Sequence, residues 1–148
     1  MHVEIRLNRR TIANVEKNIL KIKRGMLKQA GEILEDAAEE VAQLSDSYVP
    51  VETGTLKSSR AIEGVYMRRG QGLYGDTEPL VRISYGGSND QYNPLRRRMA
   101  SAYAVPVHER LDVFHPVGQA KFLERAVSES HGLFMDRVSR IRWDMSYE

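Results

Sequence analysis

The chain has 148 residues, 41% hydrophobic and 28% charged, with a net charge of +2. That length suits one domain able to bury a core without staples, and the composition excludes a disordered chain. With no cysteine, it excludes a disulfide framework, thiolate zinc sites and a cysteine nucleophile.

No apolar run approaches the roughly 20 residues of a membrane span, and Met1-His2-Val3-Glu4 does not begin a signal peptide. A soluble chain that keeps its N-terminus and assembles in a reducing cytoplasm is expected. Charge is segregated along the sequence. Residues 1–28 sum to +6, residues 29–56 to −7 with no base, residues 57–101 to +4 and the remainder to −1.

From Ile12 to Tyr48 apolar residues recur every three or four positions (Ile12, Val15, Ile19, Ile22, Met26, Ala30, Ile33, Ala37, Val41, Leu44, Tyr48). This predicts one helix of roughly 55 Å, capped by Asn8 or Thr11, stopped by Pro50 and weakened at Gly25 and Gly31. Bases crowd its first half and acids its second, against the order the helix dipole favours. Lys21, Arg24 and Lys28 on one side, and Glu32, Glu35, Glu39 and Glu40 on the other, are therefore candidates for pairing between copies. Solvated clusters are the plainer alternative. Glu40 falls in the same acidic run.

Residues 51–59 read as a polar surface loop. Residues 61–69 and 80–85 predict two strands, joined by a glycine-rich tip. Gly70-Gln71-Gly72-Leu73-Tyr74-Gly75 matches G-x-G-x-x-G, but a strand follows where phosphate binding needs a helix. Residues 86–98 form a polar loop with Gly-Gly, Asn-Asp and Asn-Pro breakers. With few apolar residues, the tip and the 89–99 loop are expected to pack poorly in a monomer and to order against other chains.

Tyr103 to Glu109 reads as a third strand, Val105 and Val107 sharing a face and Pro106 placing it at an edge. A second helix is predicted over 119–140, and the whole as α+β: a long N-terminal helix and a C-terminal helix packed on a small antiparallel sheet. One domain covers 1–148, with 1–10 and 142–148 as flexible or partner-bound ends.

His108, Glu109 and His115 match no metal-ligand spacing. A structural role in the connection to the second helix is favoured over catalysis. Arg68, Arg69 and Arg96, Arg97 and Arg98, with Tyr92 nearby, make a phosphate contact conceivable.

Two segments carry a family likeness. Pro50-Val51-Glu52-Thr53-Gly54-Thr55-Leu56-Lys57-Ser58-Ser59 resembles the P-x-(D/E)-T-G-x-L-(K/R)-x-S signature that follows the first helix of tailed-bacteriophage minor capsid, neck and tail-completion proteins. Tyr103 to Glu109, then His115 to Ala126 with Gly118, Phe122 and Leu123, resembles their closing module, in which a Y-A-x-x-V-H/E strand leads to an aromatic-Leu motif opening the C-terminal helix, and departs from it at Pro106. The resemblance spans roughly 10–140. It implies a structural virion protein of the head–tail connector, a ring of copies between portal or adaptor proteins and tail-terminator proteins around the DNA channel. It implies neither catalytic residues nor a cofactor. Pro50, Thr53, Gly54, Tyr103, His108, Gly118, Phe122 and Leu123 are its fold positions. A nucleic-acid-binding protein using the arginine clusters is the alternative.

Overall fold

The computed structural model describes residues 8–69 and 77–142, with backbone alone at 66–69 and 77. It is an α+β fold: a long N-terminal helix and a C-terminal helix flank a small antiparallel sheet. Helix α1 (Arg9–Tyr48) spans 40 residues. Its cap is Asn8, whose side-chain oxygen accepts from the Arg10 N–H at 2.9 Å. Arg9 and Arg10, expected in a loose end, form its first turn. Residues 1–7 and 143–148 lie outside the described residues, as does the glycine-rich tip at 70–76. At the other end Val49 turns extended (φ −59°, ψ 127°), the conformation that the ring of Pro50 imposes on the residue before it.

The continuous apolar stripe is buried only over its second half. Buried positions run Gly31, Ala37, Ala38, Val41, Ala42 and Ser45. These small residues let other elements approach closely: a Cβ at Gly31 would sit 3.3 Å from Val65 Cγ1. Before Ile22 the stripe faces solvent, with Ile12, Val15, Ile19 and Leu20 all exposed. The first turns of α1 project beyond the rest of the fold.

Strands β1 (Arg60–Arg69) and β2 (Thr77–Tyr85) pair antiparallel from Arg60↔Tyr85 to Arg69↔Thr77. A bulge between Glu63 and Tyr66 bends the ribbon as it crosses α1. Tyr85 locks the base of this hairpin to α1. Its hydroxyl lies 2.9 Å from both Asp46 Oδ1 and Ser45 Oγ, so it donates to the carboxylate and accepts from the serine. Arg60 holds the second carboxylate oxygen at 2.7 Å.

The 51–59 loop contains one helical turn, α2 (Thr55–Ser58). The 86–98 loop contains a miniature hairpin, β3 (Tyr92–Asn93) with β4 (Arg98–Met99).

The predicted third strand is a helix, α3 (Ser101–Glu109), with Pro106 inside it. The alternation of Tyr103, Val105 and Val107 suggested period two. The packed positions are instead Ala100, Tyr103, Ala104 and Val107, which share one helical face, while Val105 is exposed. Two alanines carry half of that face, and alanine gives little periodic signal. Pro106 removes only the bond to Ala102, in a helix too short for the loss to break it.

Helix α4 (Phe122–Ser139) begins three residues later than predicted and runs through Gly132. It lies antiparallel to α1. Tyr48 donates to Glu129 at 2.7 Å, Arg137 pairs with Glu40, and Gln29 donates to the Arg142 carbonyl at 3.4 Å. Phe122 sits in the core with Val49, Leu56, Ala100, Tyr103 and Ala104. Its ring meets Tyr85 edge-on at 5.1 Å and His108 at 4.8 Å. Burying a side chain of that size stabilises the fold by about 1.5–3 kcal/mol.

Two variants of glycine should move stability in opposite directions. Gly118 has φ +85°, and a Cβ there would lie 2.5 Å from the Pro50 nitrogen. Gly118→Ala should cost about 2–4 kcal/mol, because strain and a backbone clash add. Gly25 has open space around it in mid-helix, so Gly25→Ala should stabilise by about 0.5–1 kcal/mol. Urea melts of both variants read the two signs.

The Tyr85 phenol gives a pH signature. Burial first, then the Asp46 carboxylate beside it, push its pKa above the ordinary 10.0. A raised folded-state pKa means stability fully present below pH 10 and lost as pH climbs toward the folded value. Tyr85→Phe should flatten that alkaline decline in a pH series of thermal melts.

Candidate partner-binding surface

The two segments that carry the family likeness meet at one junction. Gly118 lies flat on the Val49–Pro50 peptide, and backbone bonds clasp it on both sides. The Gln119 N–H donates to the Tyr48 carbonyl at 2.8 Å, and the Val51 N–H to the Val117 carbonyl at 3.4 Å. Next to it, Gly54 (φ 77°) opens α2. Lys121, at φ 56°, donates its N–H to the His108 carbonyl at 2.7 Å and starts α4.

Asn93 ties the miniature hairpin into this junction and is only 1% exposed. Its amide donates to Thr53 Oγ1 at 3.0 Å and to the Tyr103 hydroxyl at 3.1 Å. Its carbonyl accepts from the Leu95 and Arg96 N–H groups at 3.0 and 3.1 Å. All the hydrogen-bonding capacity of the side chain is used.

The 89–99 loop is thus anchored within the chain, contrary to the expectation that it packs poorly. Polar residues do what apolar ones were expected to do. Asn89 donates to the Ser58 and Arg60 carbonyls at 2.9 and 3.2 Å. Asp90 accepts from the Ser101 N–H at 2.9 Å and from its hydroxyl. Those two bonds hold the Asp90 carboxyl below the usual carboxylate range. None of these three residues stood out in the sequence, where Asn-Asp and Asn-Pro read only as breakers. Nor did Gly86, whose φ of 70° places it against the Ser101 backbone.

Beside the junction opens a cleft of about 530 Å³ between the 50–56 loop, α3 and the 110–117 segment. Its apolar wall includes Val51, Val113, Phe114 and Val117, and Phe114 is 86% exposed. Arg96, Arg98 and Arg110 supply the charge, with Glu52 the one acid among the lining residues. Arg96 is engaged, donating to Glu52 at 2.5 Å and lying 5.4 Å over the Tyr103 ring. Arg110 pairs with Asp112 at 2.7 Å. Arg98, and Arg97 at φ 52°, are exposed with no ion pair among the described residues. Of Arg68 and Arg69 only the backbone is described.

His108 and His115 were expected to hydrogen-bond. His108 does so through Nδ1, 2.7 Å from Glu109 Oε1, while Nε2 of both rings is buried without a partner. Lys121 and then His108 hold the Glu109 carboxyl below its ordinary range. Among the described residues no three metal-ligating side chains converge.

Most charged residues of α1 are exposed, while Glu40 and Asp46 are half-buried and paired to other elements. Lys28 and Glu32 pair at 3.8 Å, one helical turn apart. Glu35 and Glu39 have no ion pair among the described residues, and neither do Lys21 and Arg24. Glu40 is different. Its base is Arg137 of the same chain, which removes it from the acids offered to another copy.

Asn93→Leu keeps the branching and the number of side-chain heavy atoms but leaves Thr53, Tyr103 and two N–H groups without their partner. A loss of about 2–4 kcal/mol is expected, since each buried orphan costs about 1–3 kcal/mol and some regain water. Chemical denaturation checks the magnitude; a change below 1 kcal/mol would mean the hairpin is not anchored through this side chain.

Compared with known proteins, the chain matches no family model, no curated protein and no solved structure.

Proposed function

We propose that this chain is a non-enzymatic structural protein of a tailed-bacteriophage virion, part of the connector that joins the portal side of the head to the tail around the DNA channel. The observation that carries the reading is the meeting of both motif segments in one core. Pro50, Thr53, Gly54, Tyr103, His108, Gly118, Phe122 and Leu123 all belong to the junction or pack around it, with Gly118 in backbone contact with Pro50. A shared fold would bring the two segments together in this way, although Tyr103–Glu109 is helical where the likeness implies a strand.

The projecting half of α1 supports an assembly role. An apolar stripe at helical spacing that continues past the end of its own core wants another surface. Bases there, and Glu32, Glu35 and Glu39 further along, form two patches that differ and complement each other. Closed rings join copies through such heterologous patches. Surface pairs of this kind contribute only about 0–1 kcal/mol each and are screened by salt, so they set register more than affinity.

A chain carrying an epitope label should appear at the head–tail junction when purified particles are imaged. Label confined to the capsid shell or the tail tip, or absent from particles, would overturn the assignment. Replacing Glu32, Glu35 and Glu39 by Lys should keep the chain folded, because none has a long-range partner, yet block incorporation. Normal particles built from that variant would remove the charge argument. DNA affinity of the isolated chain that falls steeply with salt and disappears in Arg97→Ala/Arg98→Ala would favour the nucleic-acid-binding alternative.

A further inference from the structure

We infer that the cleft beside the junction receives residues 143–148 of a second copy of this chain, linking copies head to tail. The segment reads Trp143-Asp144-Met145-Ser146-Tyr147-Glu148. Large apolar side chains alternate with polar or acidic ones, and its charge is −2. An extended peptide with that pattern places Trp143, Met145 and Tyr147 on one side and its acids on the other. The cleft offers the matching pair of surfaces: Val113, Phe114 and Val117 on its wall, and Arg98, beside Arg96 and Arg110, which Glu52 and Asp112 already engage. Phe114 and Val117 are mostly exposed without an occupant, and Arg98 has no ion pair among the described residues.

Reach excludes the same chain as donor. The cleft adjoins Leu56, Tyr103 and Val107, which surround Phe122 at the start of α4. Residue 142 lies beyond the other end of α4, held to Gln29. Eighteen helical residues separate the two ends by about 27 Å. Six extended residues span at most about 20 Å, and Trp143, the largest anchor, is the first of them. The donor must therefore be another molecule. Donor segment and acceptor cleft are different patches at opposite ends of α4, a heterologous arrangement that propagates until it closes. The inference does not rest on the virion reading: it concerns the isolated chain, and its failure would leave the location of the protein in particles untouched.

A fluorescein-labelled peptide of residues 141–148, titrated with the full-length chain, tests it. Saturable binding is expected, weakened about tenfold or more by Trp143→Ala in the peptide, as for a buried aromatic anchor. Phe114→Ala and Arg98→Glu in the chain should weaken it comparably. Both positions are exposed, and an unchanged melt confirms that each variant is folded. Trp143 is the only tryptophan, so its emission in the unlabelled chain should shift to the blue as protein concentration rises, and not in Phe114→Ala. Absence of binding, affinity indifferent to both cleft variants, or a DNA oligonucleotide displacing the peptide from the arginines would each overturn the inference.

Discussion

Gly118 lies against the Val49–Pro50 peptide so closely that no side chain fits between them, and the rest of the architecture follows from this approach. Pro50 ends α1 and leaves the chain extended. Gly118, at positive φ, turns the segment entering α4 back onto that extended strand, and two backbone bonds seal the contact. With both ends of the clasp fixed, Phe122 can only point into the space between Val49, Leu56 and Tyr103. The antiparallel course of α4 along α1 is then set, because its first buried side chain is anchored at the C-terminal end of α1. A glycine and a proline separated by 68 positions in sequence thus determine how the two long helices lie.

Whether such an arrangement could be read from sequence depends on which signal each element carries. Helix α1 and the β1–β2 hairpin announce themselves through periodic large apolar residues, and Pro50 marks the end of α1. Helix α3 fails that test: its buried face is Ala100, Tyr103, Ala104 and Val107, so the sequence shows only Tyr103, Val105 and Val107, which mimic a strand. Asn93 carries no sequence signal of its role, since an Asn-Pro turn on the surface and one buried at a four-bond hub look alike. The cleft was not legible in the sequence, because Val51, Arg98 and Phe114 come from three separate stretches that the Gly118 clasp and the Asn93 anchor bring together.

The electrostatics divide in the same manner between what the chain settles internally and what it leaves open. Asp46, Glu40 and Glu52 are satisfied by Arg60, Arg137 and Arg96, each from a different element. These pairs lie where α1 and its following loop touch the rest of the fold. Glu35 and Glu39 face outward one turn apart on the helix and have no ion pair among the described residues. The −7 and +6 of the sequence are therefore not one feature. Part of the acidic excess is consumed in holding the fold, and the remainder is what the proposed assembly could use.

The shape of the sheet bears on the kind of assembly this fold tolerates. A two-stranded ribbon is marginal alone and is held here by α1 on one face and by the Tyr85–Asp46–Arg60 lock at its base. Both of its strands are edges, which invites indiscriminate pairing between chains. The bulge between Glu63 and Tyr66 twists the ribbon, and Pro79 in β2 lacks one donor, so a long flat edge is not on offer. Association through the sheet is thereby discouraged, while the α1 stripe and the arginine-lined cleft remain uncovered. Those two surfaces differ in chemistry: one is helical, apolar and basic, the other concave with an aromatic wall.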